Sequence, residues 1–586
     1  MNKVLSWLKQ HMGESIILIV VTVTLCCFMG QKQGFHMDEM LSFQLSNARF
    51  NPWIVSTQPQ GRLAKFYEEE ILGENFGDTV GNLVDIVKDV LQNRGNSLLA
   101  NYKADVYEEP VWIDRQQFQD YITVDRRDAF NYLSVYFNVK DDNHPPLHFM
   151  VLHTISSLFQ GKAEAFMGCI INIAAVLGCC ILMMKLGKLY GKKETGMLAA
   201  LLYGLSSGAI ATTLLIRMYA IMTFFCVAFF YQNMVKWKKG DFTKHNKWLI
   251  AVTVMGFWTQ YFFLFYCIGL AAVMVILLWK EKKYKDMFGY IRSMVVAALI
   301  GVAIFPFAIS DVFSSERGVE ALDNLANGLE GYGERLAVFG QILLSRVFGN
   351  VWLGCVTVGL ILLLVVLGAC RVRRSRGVAQ CNSTREWHAA EWCMLVIPPI
   401  GYVLLAARMS PYLVDRYIMA AFPFGSGILA LGLIKAGKLA GEFTLIKKKT
   451  GLGSVIPFLL AACICAANIF TYDGEYLYKG YEEQEQVSVE YSDLACICIY
   501  DGVGYYENLK EFTHYKRTLL LKQQELENRV DTQSLVQDEQ IVVLIKQNTD
   551  RQKALKALEQ YGIYEKELLV QESVYGDYVV LCEVKR

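Results

Sequence analysis

The chain has 586 residues, 54% of them hydrophobic and only 19% charged, with mean hydropathy +0.28 and a formal net charge of +1. The length exceeds that of one ordinary soluble domain, and repeated long apolar runs point to a polytopic α-helical membrane protein. The near-zero net charge gives no signal for nucleic acid as a partner, so the position of each charge carries the information. Of the 16 Cys, Cys26, Cys27, Cys169, Cys179, Cys180, Cys463 and Cys465 fall inside apolar runs, where a thiol behaves as a small hydrophobe. No CxxC pairs with metal spacing occur, so neither a zinc site nor a disulfide framework is expected.

In chain order, a short basic start (Lys3, Lys9) precedes an apolar run over residues 15–30. The Cys-Cys-Phe-Met-Gly that closes the run is a poor cleavage site, so the run reads as an uncleaved first span with a cytoplasmic N-terminus. That places the next residues, Gly34 to Met40 with the adjacent carboxylates Asp38 and Glu39, on the outer face. Such a pair is expensive to desolvate at a membrane surface unless something uses it. As a plain alternative, Asp-Glu after a span is an N-terminal helix cap or a solvated loop.

Residues 31–145 form a long first outer loop with amphipathic stretches at 80–91 and 118–137. These have helical periodicity without spanning length, as in helices that lie along an interface. The run Asp141, Asp142, Asn143, His144, Pro145, Pro146, Leu147, His148 then opens an apolar segment ending at Phe159. Further apolar spans are expected at 166–184, 196–216, 218–235, 248–258, 261–279, 294–309, 351–369, 392–407, 417–434 and 455–470. Counted with the first, they give about 11 to 13 transmembrane helices. Basic clusters around Lys185, Lys236, Lys280, Arg371 and Lys447 alternate without conflict when all are placed inside. The segment from Pro145 to Phe159 is too short for a full crossing at ~1.5 Å per residue, so it dips in and returns unless one assignment is off by a crossing.

From residue 471 the composition changes. Strands are expected at 495–500, 541–546 and 578–584, with helical stretches around 505–526 and 551–561. That alternation predicts a small C-terminal α/β domain, extracytoplasmic by the same charge rule. The organisation is therefore a membrane module over 1–470 and a tail domain over 471–586. Cys496 and Cys498 share a strand face, where a plain buried role competes with pairing to Cys582.

Three outer-face features carry chemistry. A carboxylate such as Asp38 can deprotonate an incoming hydroxyl or amine. Arginines at span ends, Arg217, Arg346 and Arg416 among them, match phosphate oxygens with a planar fork, although arginines there are also interfacial anchors. His144 can donate or ligate, and Pro145-Pro146 fixes how the next helix enters. Together they suit a reaction with an anionic leaving group.

The ordered set His36-Met37-Asp38-Glu39, then Asn143-His144-Pro145-Pro146-Leu147-His148, Arg217-Met218-Tyr219-Ala220 and Asp415-Arg416-Tyr417 before Pro423 resembles the GT-C membrane glycosyltransferases. The branch it resembles groups protein O-mannosyltransferases, aminoarabinose transferases of lipid A and bacterial glycosyltransferase 39 or RgtA/B/C/D-like proteins. The resemblance runs from Met1 to Pro423 and rests on short motifs whose order is more specific than any one of them. It implies a GT-C fold and a sugar carried on a polyprenyl phosphate. The acceptor would be a protein, a lipid or a wall glycan outside the cytoplasm. Asp38 then matches the catalytic carboxylate and Glu39 its neighbour, assigned to positioning. His36, His144, Pro145, Pro146, Arg217, Tyr219 and Arg416 match the substrate and lipid-phosphate side. Many members place an Asp shortly after the arginine where Tyr219 and Ala220 stand, which leaves Asp141 or Asp142 as a substitute second carboxylate. No cofactor is implied with certainty, and a divalent metal stays open. The competing classes are a transporter or flippase of lipid-linked sugars, which would show inverted repeats and interrupted helices, and a non-catalytic scaffold.

Overall fold

The computed structural model describes the chain except residues 1, 52–53, 55–61, 104–109, 141, 241, 243–245, 314, 327–330, 376–388, 444–451, 528–537 and 586. The chain divides into two compact units. One comprises Met1–Gly30, Asn143–His148 and Cys169–Glu475; the other comprises Gln31–Asp142, Phe149–Gly168 and Tyr476–Arg586.

The first unit is helical. Among the described residues six helices are long and apolar enough to cross a membrane: His11–Met29, Ala165–Leu189, Phe263–Lys280, Tyr284–Ile304, Ala389–Met409 and Met419–Gly437. Large apolar side chains such as Ile19, Leu299 and Leu362 are exposed on the helices, as faces meant for lipid require. Two further apolar runs are bent rather than continuous. Lys193–Gly204 and Ser207–Leu214 meet at 55°, and Tyr332–Phe348 and Val351–Leu363 at 83°, which brings the count to eight if each pair is one span. The single span expected over 196–216 is therefore broken. The helices Lys247–Phe257 and Leu147–Leu158 are short of spanning length; the 12 residues of the latter rise only ~18 Å against a core of ~30 Å.

The second unit joins the long first loop to the tail domain through one sheet. Its six strands run in the order β1-β3-β2-β4-β6-β5, where β1 is Trp112–Asp114, β2 Ala495–Tyr500, β3 Arg517–Lys522, β4 Gln540–Ile545, β5 Ile563–Val570 and β6 Tyr578–Val584. The central β3-β2-β4 pairings are parallel and the outer ones antiparallel. All six residues of β2 are buried, as a strand covered on both faces demands. Three strands depart from expectation. β3 lies inside the stretch read as helical, β5 follows the expected helix over 551–561 without having been expected, and β1 comes from the first loop, where three residues give periodicity nothing to work on. Cys496, Cys498 and Cys582 are buried free thiols.

Within the loop, Phe76–Asn93 is a helix whose Val80, Val84, Val87 and Leu91 are all exposed. Their i, i+4, i+7, i+11 spacing makes one apolar stripe, the pattern of an interfacial helix. The stretch 118–137 resolves into two helices, Arg115–Ile122 and Tyr132–Asn138.

Candidate active site

In the second unit the residues leading into helix Met37–Asn47 form a lock around Asp38. His36 is the N-cap, and its Nδ1 accepts the Asp38 backbone N–H at 3.1 Å. Glu39 reaches back to accept the His36 backbone N–H at 2.7 Å. This capping box satisfies two donors that a helix start leaves unpaired. With Nδ1 accepting, the neutral imidazole carries its proton on Nε2.

Glu39 Oε2 also receives Lys32 Nζ at 2.9 Å, and both side chains are fully buried. Lys32 spends a second proton on the Tyr476 carbonyl at 2.7 Å, the kind of added hydrogen bond a buried ion pair needs to offset its desolvation. Glu39 is thus a capping and positioning group, and the helix-cap reading applies to it. Asp38 differs. Its side chain keeps 21% of its surface, with Oδ2 at 3.6 Å from His36 Nδ1. Of the two neighbouring acids, only Asp38 presents a carboxylate that a reactant can reach.

The tail domain grips this segment. The Phe35 N–H donates to Tyr575 Oη at 3.0 Å, and the Tyr575 hydroxyl donates to the Phe35 carbonyl at 2.6 Å. The Gln33 N–H donates to the Leu477 carbonyl at 2.8 Å. Between them Gly34 leaves no room for a side chain, since a Cβ there would stand 2.8 Å from the Tyr481 ring and 2.9 Å from both Tyr478 Cβ and Tyr575 Oη. Behind Tyr575 is a buried polar network. Lys546 Nζ pairs with Asp577 at 2.8 Å and Glu507 at 3.0 Å. Glu511 accepts from Gln484 at 3.0 Å and Asn508 at 2.8 Å. Burial, aided by the nearby Asp577 charge, pushes the Glu511 carboxyl up to about 8, so it holds its proton at neutral pH.

His144 to His148, Arg217, Tyr219 and Arg416 lie in the first unit. His144 is half-buried and Pro145 and Pro146 are buried. The Leu147 N–H donates to the Trp258 carbonyl at 3.0 Å. His148 is fully buried within electrostatic range of both Arg217 and His144. Arg217 lies in the break between Ser207–Leu214 and Tyr219–Lys239 and is 3% exposed. A helix that stops inside a protein must satisfy its last carbonyls. Here Asn172 does so, donating to Thr213 and Leu215 at 3.1 and 2.7 Å.

Tyr219, two residues on, meets the Tyr417 ring edge-on at 6.3 Å, and the Arg416 guanidinium lies over that ring at 5.5 Å. Asp415 is held by Arg346 Nε at 3.0 Å, and the same guanidinium pairs with Asp473 at 3.3 Å and with Glu475. His144 and Arg217 thus both bear on His148, while Tyr219 and Arg416 both meet the Tyr417 ring. Cationic and aromatic groups of this kind suit an anion.

No family model matches the chain, and no curated protein matches it. Among solved structures it is similar to ArnT from Cupriavidus metallidurans bound to undecaprenyl phosphate, with TM-score 0.45, 10% identity, and coverage of 75% of this chain and 88% of that one. The apo state of the same protein gives TM-score 0.43, 11% identity and coverage of 75% and 87%. The oligosaccharyltransferase AglB from Archaeoglobus fulgidus, in complex with an inhibitory peptide and a dolichol-phosphate, gives TM-score 0.40, 12% identity and coverage of 87% and 64%. Identities of 10 to 12% leave the functional reading to the chain's own residues.

The proposed substitutes for a second carboxylate fare unequally. Asp141 lies outside the described residues. Asp142 is buried, its N–H donating to the Val139 carbonyl at 3.2 Å. Among the described residues no group of three or more His, Cys, Asp and Glu is placed to hold a metal ion. Lys32, Tyr575 and Asn172 were not singled out by sequence reasoning. Asn172 left a signal, a lone amide inside an apolar run, whereas Tyr575 lies 540 positions from its partner and left none.

Proposed function

We propose that the protein is a membrane glycosyltransferase that moves a sugar from a polyprenyl-phosphate donor to an acceptor on the outer face, with Asp38 as general base. The observation that carries this reading is the divided use of the adjacent acids: Glu39 is spent on Lys32 and the helix cap, while Asp38, in the first turn of the capped helix Met37–Asn47, keeps 21% of its side-chain surface exposed. In the reaction the acceptor hydroxyl or amine gives its proton to Asp38, its heteroatom bonds to the sugar anomeric carbon, and the bond from that carbon to the phosphate oxygen breaks. The phosphate leaves with the electron pair, and its charge is met by Arg217 and Arg416. A monophosphate can be neutralised this way because each guanidinium offers paired donors. His144 and Tyr219 orient the lipid phosphate. The N-terminus is cytoplasmic and the tail domain extracytoplasmic, in line with the lysine-rich loops.

The test is a purified-protein assay with labelled polyprenyl-phosphate sugars. Release of free polyprenyl phosphate that depends on an added acceptor supports transfer. A second reading, transport of the lipid-linked sugar, draws on the two bent helix pairs, since broken helices recur in transporters. In the same assay a transporter moves labelled donor across a vesicle membrane with the sugar–phosphate bond intact.

A further inference from the structure

One more carboxylate of the first unit is buried just past the end of a span. Asp311 lies on the short helix Ala308–Phe313, which follows the span Tyr284–Ile304, and is 5% exposed. The Tyr261 hydroxyl donates to Asp311 Oδ2 at 2.6 Å. A buried acid in a membrane-spanning unit is expensive to desolvate, which marks it and its partner as candidates for function. Tyr261 stands in the turn between the helices Lys247–Phe257 and Phe263–Lys280, and this turn touches three further parts of the unit. The Trp258 carbonyl takes the Leu147 N–H at 3.0 Å, at the start of the helix that His144, Pro145 and Pro146 lead into. The Trp258 indole N–H donates to the Gly301 carbonyl at 3.0 Å, on the span that leads to Asp311. Phe262 sets its ring against Tyr417 at 5.4 Å, the ring that Tyr219 and Arg416 also meet. Residues 258–262 therefore join the His-Pro-Pro helix to the Asp-Arg-Tyr segment, and Asp311 anchors them through Tyr261.

We infer that Asp311 and Tyr261 are positioning residues for binding the phosphate of the lipid-borne donor, because their hydrogen bond fixes the turn that carries both motif segments. A carboxylate repels a phosphate, so the pair acts through the turn and not by direct contact. A hydroxyl bonded to a carboxylate suits the task, since bonds to an ionised acceptor are short and strong. The rest of the turn is built to match. Thr259 and Gln260 are buried, Gln260 Oε1 accepts the Tyr261 N–H at 2.6 Å, and the Tyr261 ring packs on Phe257 at 5.7 Å. The inference rests on the proposed glycosyl transfer and adds to it a pair of residues that none of the sequence motifs contains.

The test is a titration of the full-length protein in detergent with polyprenyl phosphate, read by native mass spectrometry, alongside donor kinetics. Tyr261→Phe removes the hydroxyl and keeps the ring, whereas Asp311→Asn keeps an acceptor for that hydroxyl. In Tyr261→Phe polyprenyl phosphate should bind roughly 10-fold more weakly, the scale of one hydrogen bond to a charged group. Donor KM should rise by the same factor with kcat nearly unchanged, and Asp311→Asn should stay close to the wild type. Should Tyr261→Phe not fold, the pair Tyr261→Phe with Asp311→Leu decides, because it leaves no buried carboxylate without its donor. Wild-type affinity in a folded variant that lacks the bond, even with a lowered melting temperature, would overturn the inference and leave the glycosyl transfer standing. A wild-type protein that binds no polyprenyl phosphate would remove the proposed function and the inference with it.

Discussion

The hydroxyl of Tyr575 closes both backbone hydrogen bonds of Phe35, accepting its N–H at 3.0 Å and donating to its carbonyl at 2.6 Å. Asp38 lies three positions after Phe35, so a side chain in the tail domain sets the path of the segment that presents the reachable acid. Tyr575→Phe removes both bonds while keeping the ring. Leaving two buried backbone groups unpaired costs ~1–3 kcal/mol, so the Phe35 amide should exchange with deuterium roughly 10- to 100-fold faster. Turnover should fall with little change in donor KM. Unchanged exchange at Phe35 would remove the role given to Tyr575.

The adjacent acids should separate by phenotype. Glu39→Gln leaves Lys32 charged, buried and without its carboxylate partner. Breaking one side of a buried pair costs ~3–5 kcal/mol, so the variant should lose much of its thermal stability. Asp38→Asn should melt close to the wild type. Thermal scans of the two purified variants check this, and the reverse order would contradict the assignment.

Arg346 should behave as a structural hub. It joins Asp415, Asp473 and Glu475, and Asp415 is 3% exposed. Arg346→Ala removes the guanidinium that the buried Asp415 carboxylate shares with Asp473 and Glu475 and should destabilise by ~3–5 kcal/mol. Removing both partners in Arg346→Met with Asp415→Asn should recover part of that loss, which a double-mutant cycle on unfolding measures.

The tail domain should weaken as pH rises. Burial raises the Glu511 carboxyl from 4.5 to about 8, so the folded state binds a proton that the unfolded state has released. Its contribution is therefore complete below the unfolded value and is lost as pH climbs from about 4.5 through about 8. Glu511→Gln mimics the protonated form and should flatten the dependence. Urea melts between pH 5 and 9, followed by Tyr fluorescence of the full chain, report the slope.

Much of the architecture was legible because lipid imposes a simple grammar. Long apolar runs became helices, and β2 and β6 were plain from their unbroken apolar or alternating residues. The breaks were not legible. Within 196–216 the break falls between Gly204 and Ser207, where Ser206 caps the second helix, but small and hydroxyl residues also occur inside unbroken spans. The partner at the far end, Asn172 to the Leu215 carbonyl, comes from another helix. Strand β3 was hidden because Leu519, Leu520 and Leu521 carry no periodicity that separates a buried strand from a helix. At the site, the pairing of Asp38 with Glu39 just after the first span was readable in sequence, as was the helix-cap alternative that Glu39 fulfils. The fate of Glu39 was not, because it depends on Lys32 and on the Tyr476 carbonyl, 444 positions from that lysine.

The central claim is that Asp38 takes the acceptor's proton. It is tested most directly by acceptor-dependent release of polyprenyl phosphate from a labelled donor, with wild type and Asp38→Asn compared at equal amounts of folded protein. The account predicts robust release by the wild type and a loss of at least ~100-fold in the variant, the usual scale of a lost general base. Full activity of Asp38→Asn would contradict it.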